Sequence, residues 1–333
     1  MKITFFDIAP GEKEIFSRFF SGVEVSFVEE KLNEDNAGNY ADSEIISVFV
    51  SSTVNQKVID AMPNLKFIAT RSTGFDHVDY EYCKGKGIQV SSVPAYGSRT
   101  VAEFAFALLL TLSRKIFIAA KRLKEEGDFS YKGLEGFDLY EKTIGIIGTG
   151  KIGKNAIRIA KGFGMNVIAY DLYPDMDFAE EMGFEYETLA EVLSQSDIIT
   201  LHAPYTKENH HLLNKENIST MKKGVYIVNT ARGELIDTDA LVWGLNEGII
   251  GALGLDVMEG EKELKEEMNI LVSGKDSDNY KTLLENKMLI EMPNVIITPH
   301  TAFNSKEAKG EIIKTTADNI NSFISGTPQN LLK

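Results

Sequence analysis

The chain has 333 residues, of which 43% are hydrophobic, so it is long enough for two domains of ordinary size with hydrophobic cores. Acidic residues outnumber basic ones by 49 to 35. The resulting net charge of −14, without a basic block, argues against binding to nucleic acid or to an anionic membrane surface. Cys83 is the only cysteine, which excludes a disulfide framework and a cysteine metal cluster and favours a reducing compartment.

The first part of the chain alternates short apolar runs with helical or loop segments, which predicts a parallel sheet with helices on its faces. The N-terminus reaches Asp7 after a few apolar residues and lacks a signal-peptide core. No apolar run is long enough to span a bilayer, so we expect a cytoplasmic protein. The predicted strands are Ile3–Ile8, Val23–Val28, Ile45–Val50, Lys66–Arg71 and Ile88–Ser91.

A long helix is predicted next, from Thr100 to about Glu126. Thr100 and Glu103 have the spacing of a capping box, and Gly127 ends the pattern. The first half of this segment is apolar on both faces, which is more than one domain core requires. We interpret it as a domain connector that also packs against the second subunit of a homodimer. A long buried helix in a monomer is the alternative.

The segment from Thr143 to Asp171 has the order of a dinucleotide-binding unit. A strand is followed by Gly148, Gly150 and Gly153 in G-x-G-x-x-G spacing, then by a helix and a second strand that ends at Asp171. Glycines in this arrangement let backbone N–H groups face a pyrophosphate, and the acid can accept hydrogen bonds from the ribose hydroxyls. Because a carboxylate repels a 2′-phosphate, the cofactor is predicted to be NAD rather than NADP.

Further strands follow this unit, and each leads to a polar side chain at its carboxyl end. In an open parallel sheet these ends form the ligand site, so their coincidence predicts a catalytic cleft. The predicted strands are Asp197–His202, Val225–Thr230, Gly251–Val257 and Val295–Thr298. The side chains at their ends are His202, Arg232, Asp256 and His300.

The end of the chain is expected to return to the first domain. Residues 261–290 are rich in lysine and glutamate and predict a surface loop and helix, whereas residues 305–324 have helical spacing suited to packing on that domain. We therefore predict an α/β protein with two Rossmann-like, doubly wound parallel-sheet domains. Residues 1–99 and 300–333 would form a flavodoxin-like substrate domain, and residues 100–299 an NAD-binding Rossmann domain.

His300 is the best candidate for a general acid–base catalyst. Glu261 is its natural partner, because a nearby carboxylate orients an imidazole and stabilises its charged form. Arg232 offers a planar fork for a substrate carboxylate. No metal site is predicted, because no metal-ligand spacing stands out. Of the other histidines, His202 could line the cofactor groove or only pack, His77 is expected to be structural, and His210 and His211 are expected to be solvated.

Three segments resemble signature segments of the NAD-dependent D-2-hydroxyacid dehydrogenases: residues 229–237, 254–261 and 298–300. The similarity extends over nearly the whole chain. Within that family, Val93-Pro-Ala-Tyr96 and His300-Thr-Ala-Phe303 resemble the D-lactate dehydrogenases. The resemblance implies reversible hydride transfer between NADH and pyruvate, giving D-lactate. A dehydrogenase for bulkier 2-keto acids, such as phenylpyruvate or 4-methyl-2-oxopentanoate, is the alternative. A dinucleotide-sensing, corepressor-like binding protein is a remote one.

The resemblance also implies a role for each matching residue. Arg232 would bind the substrate carboxylate, His300 would donate a proton to the carbonyl oxygen, and Glu261 would stabilise the protonated ring. Tyr96 and Phe303 would enclose the substrate methyl group, while backbone groups of Thr73 and Gly74 would contact the carboxylate. The cofactor groove would be completed by Lys151, Ile152, Leu172, His202, Ala203, Pro204, Asn209, Thr230, Ala231, Arg232 and, at the nicotinamide end, Asp256.

Two positions depart from the pattern of the family. Met258 stands where many relatives have an aromatic residue, and Gly97-Ser98 stands where many lactate dehydrogenases have Ser-Pro. Neither change touches the expected proton relay. Gly97 adjoins Tyr96, however, and therefore leaves the selectivity for the substrate side chain open.

Overall fold

The computed structural model describes residues 1–94, 96–261 and 277–332. Packing divides the chain into two units, residues 1–96 with 304–333, and residues 97–303. The sequence placed the boundaries at 99/100 and 299/300. The structure places them at 96/97 and 303/304, so the second unit is a few residues longer at each end than predicted. At the first boundary a helix begins at Ser98. At the second, the N–H groups of Thr301 and Ala302 donate to Asp256 of the second unit.

The first unit is built on a five-stranded parallel sheet with strand order β2-β1-β3-β4-β5, which is the flavodoxin-like order. Each strand predicted for it is present with shorter bounds. The strands are β1 (Lys2–Phe5), β2 (Glu24–Phe27), β3 (Ile45–Val48), β4 (Phe67–Thr70) and β5 (Gln89–Ser91). The helices are α1 (Glu12–Ser17), α2 (Gln56–Asp60), α3 (Tyr80–Gly85) and the C-terminal helix Lys306–Ile324, with a 3-10 turn at Ala37–Tyr40.

The C-terminal helix completes the core of this first unit. Its buried residues Ala317 and Ile320 pack in one cluster with Phe5 of β1. The ring of Phe323 stacks on Phe67 of β4 with centroids 4.3 Å apart. Full burial of a side chain such as that of Ile320 stabilises the fold by about 1.5–3 kcal/mol. The first unit therefore depends on both ends of the chain.

The second unit contains a seven-stranded parallel sheet with strand order β12-β11-β10-β9-β6-β7-β8. This is the Rossmann order with one further strand at its edge. Its strands are β6 (Thr143–Ile147), β7 (Asn166–Tyr170), β8 (Glu185–Tyr186), β9 (Ile198–Leu201), β10 (Val225–Asn229), β11 (Ile250–Leu255) and β12 (Val295–Ile297). The two-residue strand β8 was not predicted from the sequence, because it is too short to show periodicity.

Helices cover this second sheet. They are α4 (Ser98–Ser113), α5 (Ile116–Glu126), α6 (Lys151–Gly162), α7 (Met176–Met182), α8 (Leu189–Gln195), α9 (Lys215–Ile218), α10 (Thr238–Asn246) and α11 (Ser277–Glu291), with 3-10 turns at Lys207–Asn209 and Gly233–Leu235. Half of the charged stretch predicted at residues 261–290, namely residues 262–276, lies outside the described residues, whereas Glu261 and α11 are described. No helix in the described part of the chain is long and apolar enough to cross a membrane.

The single long helix predicted from Thr100 was wrong, because the structure has two helices separated at Lys115. Lys115 adopts a left-handed conformation with φ of 52°. The carbonyl of Ser113, which would continue the helical hydrogen bonds, instead accepts from the backbone N–H of Phe137 at 3.1 Å. Helix α4 also begins earlier than predicted, with Gly97 as its N-cap, so Thr100 lies inside its first turn rather than capping it.

Most of the apolar residues on both faces of α4 are buried within the second unit, and Phe104 and Leu110 are partly buried there. They pack on the sheet and on α6 in the same core cluster as Ile144 and Ala156. Helix α5 has no buried residue. Burial by the chain's own sheet therefore accounts for the apolar surface of α4, and the exposed apolar surface lies on α5.

Candidate active site

The turn after β6 has the backbone geometry of a dinucleotide-binding loop. Gly148 has φ of 89°, and a Cβ there would lie 2.6 Å from the backbone nitrogen of Ala203. A Cβ on Gly153 would lie 2.0 Å from the carbonyl oxygen of Gly148, so neither position accommodates a side chain. Gly150 is the N-cap of α6 and faces open space. The helix N-terminus thus presents its backbone N–H groups and partial positive charge to an anion.

Asp171 lies just beyond β7 and is held in place by this turn. One carboxylate oxygen accepts from the Thr149 backbone N–H at 2.6 Å and from the Thr149 hydroxyl at 3.0 Å. The other oxygen accepts from the Tyr173 backbone N–H at 2.9 Å. These bonds orient the carboxylate at the sheet edge where ribose hydroxyls are recognised in this fold.

Two buried polar atoms beside the turn test whether a cofactor fits there. His202 follows β9 and Thr230 follows β10, two strands that pair in register. The Nδ1 atom of His202 and the hydroxyl of Thr230 are buried without a hydrogen-bond partner among the described residues. Desolvation lowers the pKa of His202 to about 4, so its ring is neutral at physiological pH. Because buried polar atoms are usually satisfied, this pair fits a polar ligand in the groove.

The other residues predicted for the cofactor groove lie around the same edge. Lys151 and Ile152 form the first turn of α6. The side chain of Asn209 holds the loop after His202, since it donates to the carbonyl of Pro204 at 2.8 Å and accepts from the N–H of Thr206 at 2.7 Å. Leu172 is exposed, whereas Ala203 and Ala231 are partly buried. Their contacts with NAD stay predictions.

Arg232 is presented by a tight turn after β10. The buried side chain of Asn229 accepts from the N–H of Ala231 at 3.0 Å and donates to the carbonyl of Arg232 at 2.8 Å. The guanidinium donates to the Ala231 carbonyl at 2.8 Å. Gly233 lies so close to the next loop that a Cβ would be 2.0 Å from the carbonyl carbon of Met258. The turn that carries Arg232 and the loop that leads to Glu261 are therefore packed directly together.

His300 and Glu261 form the pair expected from the sequence. The Nδ1 atom of His300 lies 3.1 Å from Oε2 of Glu261, and Oε1 accepts from the N–H of Met258 at 3.1 Å. His300 has φ of 54°, a left-handed conformation held by its N–H bond to the carbonyl of Asp256 at 2.9 Å. With Nδ1 beside the carboxylate, Nε2 is the ring atom left to exchange a proton with a substrate.

Asp256 is buried and holds the loop that carries His300. Its carboxylate accepts from the N–H groups of Thr301 at 2.9 Å and Ala302 at 2.7 Å, and from the hydroxyl of Thr298. These bonds fix the backbone on both sides of His300. The nicotinamide-orienting role given to Asp256 by the family resemblance stays a prediction, and the structure adds this loop-positioning role.

The three residues predicted to be catalytic line one cleft in the second unit. Its volume is about 370 Å³. Among the described residues that line it, Arg232 is the one arginine or lysine, and its planar guanidinium can pair with a carboxylate. Besides Arg232, Glu261 and His300, the described lining residues are Gly233, Glu234, Met258, Glu259, Gly260, Thr282 and Leu283.

The residues predicted to contact the substrate are divided between the two units. Thr73 and Gly74 lie in the loop after β4, where the Thr73 hydroxyl donates to the carbonyl of Val93 at 2.7 Å. Tyr96 is the last residue of the N-terminal segment of the first unit, and Phe303 is the last residue of the second. Their substrate contacts stay predictions.

Two buried asparagines near the cleft were missed by the sequence analysis. Asn229 shapes the Arg232 turn and lies in the first signature segment. Its position directly before that turn could have indicated that it holds the turn in place. Asn286 of α11 donates from Nδ2 to the carbonyl of Glu259 at 2.8 Å and so supports the loop that leads to Glu261. Nothing local in the sequence distinguishes Asn286 from other polar residues of a charged helix.

The adjacent histidines also differ from the sequence expectation. His210 is exposed as expected, but His211 is only partly exposed and its Nε2 lies 2.8 Å from Oε1 of Glu259. The contact was not predicted because the two residues are 48 positions apart.

Comparison with known proteins agrees with this geometry. A family model described as D-isomer specific 2-hydroxyacid dehydrogenase, NAD binding domain, matches residues 106–302. The chain is 40% identical over 307 residues to the D-lactate dehydrogenase of Escherichia coli K12, covering 92% of this chain and 91% of that protein. It is 36% identical over 338 residues to an aromatic 2-oxoacid reductase of Clostridium sporogenes, covering 99% and 98%. The structure of D-lactate dehydrogenase from Aquifex aeolicus complexed with NAD and lactic acid superposes with a TM-score of 0.85, at 37% identity and 98% and 96% coverage.

Proposed function

We propose, since the chain belongs to the D-isomer specific 2-hydroxyacid dehydrogenase family, that it catalyses the NADH-dependent reduction of pyruvate to D-lactate and the reverse oxidation. The observation that carries this proposal is the cleft in which Arg232 accompanies the hydrogen-bonded pair of Glu261 and His300. One guanidinium for a carboxylate and one carboxylate-supported imidazole for a carbonyl are the groups that a 2-keto acid requires.

Each side chain has a separate task in reduction. Arg232 binds the substrate carboxylate and orients the adjacent carbonyl. His300, protonated and supported through Nδ1 by Glu261, donates a proton from Nε2 to the carbonyl oxygen as the carbonyl carbon is reduced. In the reverse direction the neutral ring accepts the hydroxyl proton. Bound at the glycine turn, NADH supplies the hydride that reduces the carbonyl carbon.

Asp256 supports this chemistry without contacting the proton. Its carboxylate holds the backbone of the His300 loop on both sides of the ring. Because proton donation requires Nε2 within hydrogen-bond reach of the carbonyl oxygen, the conformation of this loop is part of the catalytic geometry. Asp256 thus acts as a positioning residue for His300.

Replacing Glu261 with glutamine is expected to lower kcat for pyruvate reduction by about 10–100-fold. The Glu261 carboxylate lies 3.1 Å from Nδ1 of His300 and supports the ring that donates the proton. A hydrogen bond to a charged group contributes about 1.5–3 kcal/mol, and each 1.36 kcal/mol is tenfold in rate. The measurement is kcat with pyruvate at saturating NADH. The Glu259→Gln control removes the same charge two residues away but leaves the His300 pair intact, so we expect a smaller loss of kcat. Wild-type kcat in the Glu261 variant would contradict the pairing.

A panel of 2-keto acids tests the substrate assignment. We expect the highest kcat/KM for pyruvate and a product that chiral chromatography identifies as D-lactate. One or two extra methylenes in an apolar pocket shift selectivity by about 1–3 kcal/mol, so phenylpyruvate and 4-methyl-2-oxopentanoate report the size of the pocket directly. A strong preference for either would replace pyruvate with a bulkier substrate, an alternative favoured by the similarity to an aromatic 2-oxoacid reductase. Tight NADH binding without turnover of any 2-keto acid would favour the corepressor-like alternative.

A homodimer is the assembly we propose for this enzyme. Helix α5 and the residues after it expose apolar side chains, including Phe117 at 56%, Phe129 at 89% and Tyr131 at 89% exposure. Exposed apolar patches of this kind commonly mark protein–protein contacts, and most soluble oligomers are built from identical chains, with twofold dimers the commonest. Sedimentation velocity measures the assembly directly, and a monomer at micromolar concentration would oppose it.

A further inference from the structure

A cluster of metal-ligating side chains lies beside the proposed active site and has no role in the reaction described above. One ligand atom from each of His210, His211 and Glu259 lies within 4.8 Å of the other two. No other group of three such residues in the described part of the chain has this spacing. We propose that these three side chains bind a divalent transition-metal ion of the zinc type.

The backbone brings the two histidines to the same side of the chain. His211 has φ of 52°, an uncommon conformation for a residue other than glycine. In an extended chain, neighbouring side chains point in opposite directions. Here the two rings instead stack with centroids 3.8 Å apart and an interplanar angle of 24°. The N–H of His211 donates to the carbonyl of Glu234 at 3.0 Å, which anchors this conformation. Strained backbone of this kind is concentrated at functional sites.

The carboxylate is held in position by a residue outside the cluster. Oε2 of Glu259 accepts from the hydroxyl of Thr238 at 3.0 Å, while Oε1 lies 2.8 Å from Nε2 of His211. The Nδ1 atom of His210 lies 3.4 Å from the Tyr205 hydroxyl. Such outer hydrogen bonds orient ligands in metal sites and set which ring nitrogen faces the ion.

The chemistry and distances of the cluster select a borderline metal. Two imidazoles and one carboxylate suit Zn²⁺, Ni²⁺ or Cu²⁺, whereas Ca²⁺ and Mg²⁺ prefer oxygen ligands. Ligand bond lengths of about 2.0–2.2 Å place tetrahedral donors roughly 3.3–3.6 Å apart. Donors that now lie up to 4.8 Å apart would therefore move closer, and Nε2 of His211 and Oε1 of Glu259, now 2.8 Å apart, would separate slightly. His210 is exposed and His211 and Glu259 are partly exposed, so side-chain rotation and entry of the ion are both possible. Three protein ligands leave the fourth tetrahedral position for water.

Zinc titration of the untagged, chelator-treated full-length protein tests this site. We expect wild type to bind about one equivalent of Zn²⁺ per chain, measured by competition with a chromophoric chelator. His210→Ala and Glu259→Gln are each expected to weaken binding at least tenfold. The matched control is Glu208→Gln, which removes an exposed carboxylate two residues from His210 and is expected to retain the wild-type affinity.

A second variant separates this cluster from the catalytic pair. His300→Asn removes the other histidine–carboxylate pair near the cleft and is expected to leave zinc binding intact. Loss of binding in this variant alone, or full binding in both His210→Ala and Glu259→Gln, would overturn the proposal. Anomalous scattering at the zinc edge from soaked crystals gives an independent readout. A peak between His210 and Glu259 supports the site, and a peak only at His300 opposes it. Because His210 is exposed, His210→Ala tests the site even if Glu259→Gln is unstable.

Discussion

Replacing His300 with glutamine is expected to lower kcat for pyruvate reduction by about 10²–10⁴-fold, the usual contribution of a positioned general acid. The side-chain amide of glutamine can donate a hydrogen bond to the carbonyl oxygen, but it cannot transfer a proton at neutral pH. NADH affinity is expected to change little, because the glycine turn and Asp171 lie on other strand ends of the sheet. Steady-state kinetics with parallel fluorescence titration of NADH separates the two effects.

The left-handed backbone at His300 calls for a second variant. Asparagine adopts positive φ more readily than glutamine does, so His300→Asn removes the ring with less strain. Both variants are expected to lose kcat to a similar extent. His211→Gln is the matched control, because His211 also has positive φ and also pairs with a carboxylate, and its loss of kcat is expected to be far smaller. Near wild-type kcat in His300→Asn would reject His300 as the proton donor.

Arg232→Gln is expected to reduce kcat/KM for pyruvate by about 10²–10³-fold, mainly through a higher KM. Loss of one partner from a hydrogen-bonded charge pair costs about 2–5 kcal/mol, and each 1.36 kcal/mol is tenfold. The effect is expected to be large because, of the lining residues in ranges 96–261 and 277–332, no other is an arginine or a lysine. Kinetics over a wide range of pyruvate concentration measures it.

Arg232→Lys distinguishes the charge of this residue from its geometry. Lysine keeps the positive charge but lacks the planar fork that binds a carboxylate through two parallel hydrogen bonds. We expect it to recover part of the KM lost in the glutamine variant and little of the selectivity for 2-keto acids over simple ketones. An unaltered KM for pyruvate in Arg232→Gln would contradict the proposed role. NADH affinity in each variant reports whether the β10 turn has kept its structure.

Much of the proposed site could be predicted from the sequence because its residues follow buried strands. Apolar runs identify β6, β9 and β10, and parallel pairing brings their carboxyl ends to one edge of the sheet. The order of strands and polar residues along the chain was therefore sufficient to predict the glycine turn. It was also sufficient to predict that Arg232 and His300 lie at the same edge of the sheet. The family to which the chain belongs agrees with the one that its signature segments resemble.

The interruption at Lys115 could not be predicted in this way. Helical periodicity continues through it, and no glycine or proline marks a break. The helix ends because the returning chain supplies the N–H of Phe137 to the Ser113 carbonyl. These two residues are 24 positions apart, so the contact cannot be inferred from the local sequence pattern.

The sequence by itself determined the two parallel α/β units and the dinucleotide turn, because burial and helix or strand periodicity are local properties. It also determined which polar residues follow the strands. Only the tertiary structure decided how those residues are held. Asn229 shapes the Arg232 turn, and Asp256 fixes the loop around His300. In the same way, Glu259 contacts the ring of His211. Each of these contacts joins a side chain to a particular backbone or ring atom, and its geometry depends on the turns that the packed chain adopts. Local sequence patterns identify the residues of the site, and the packing of the folded chain sets the distances between them.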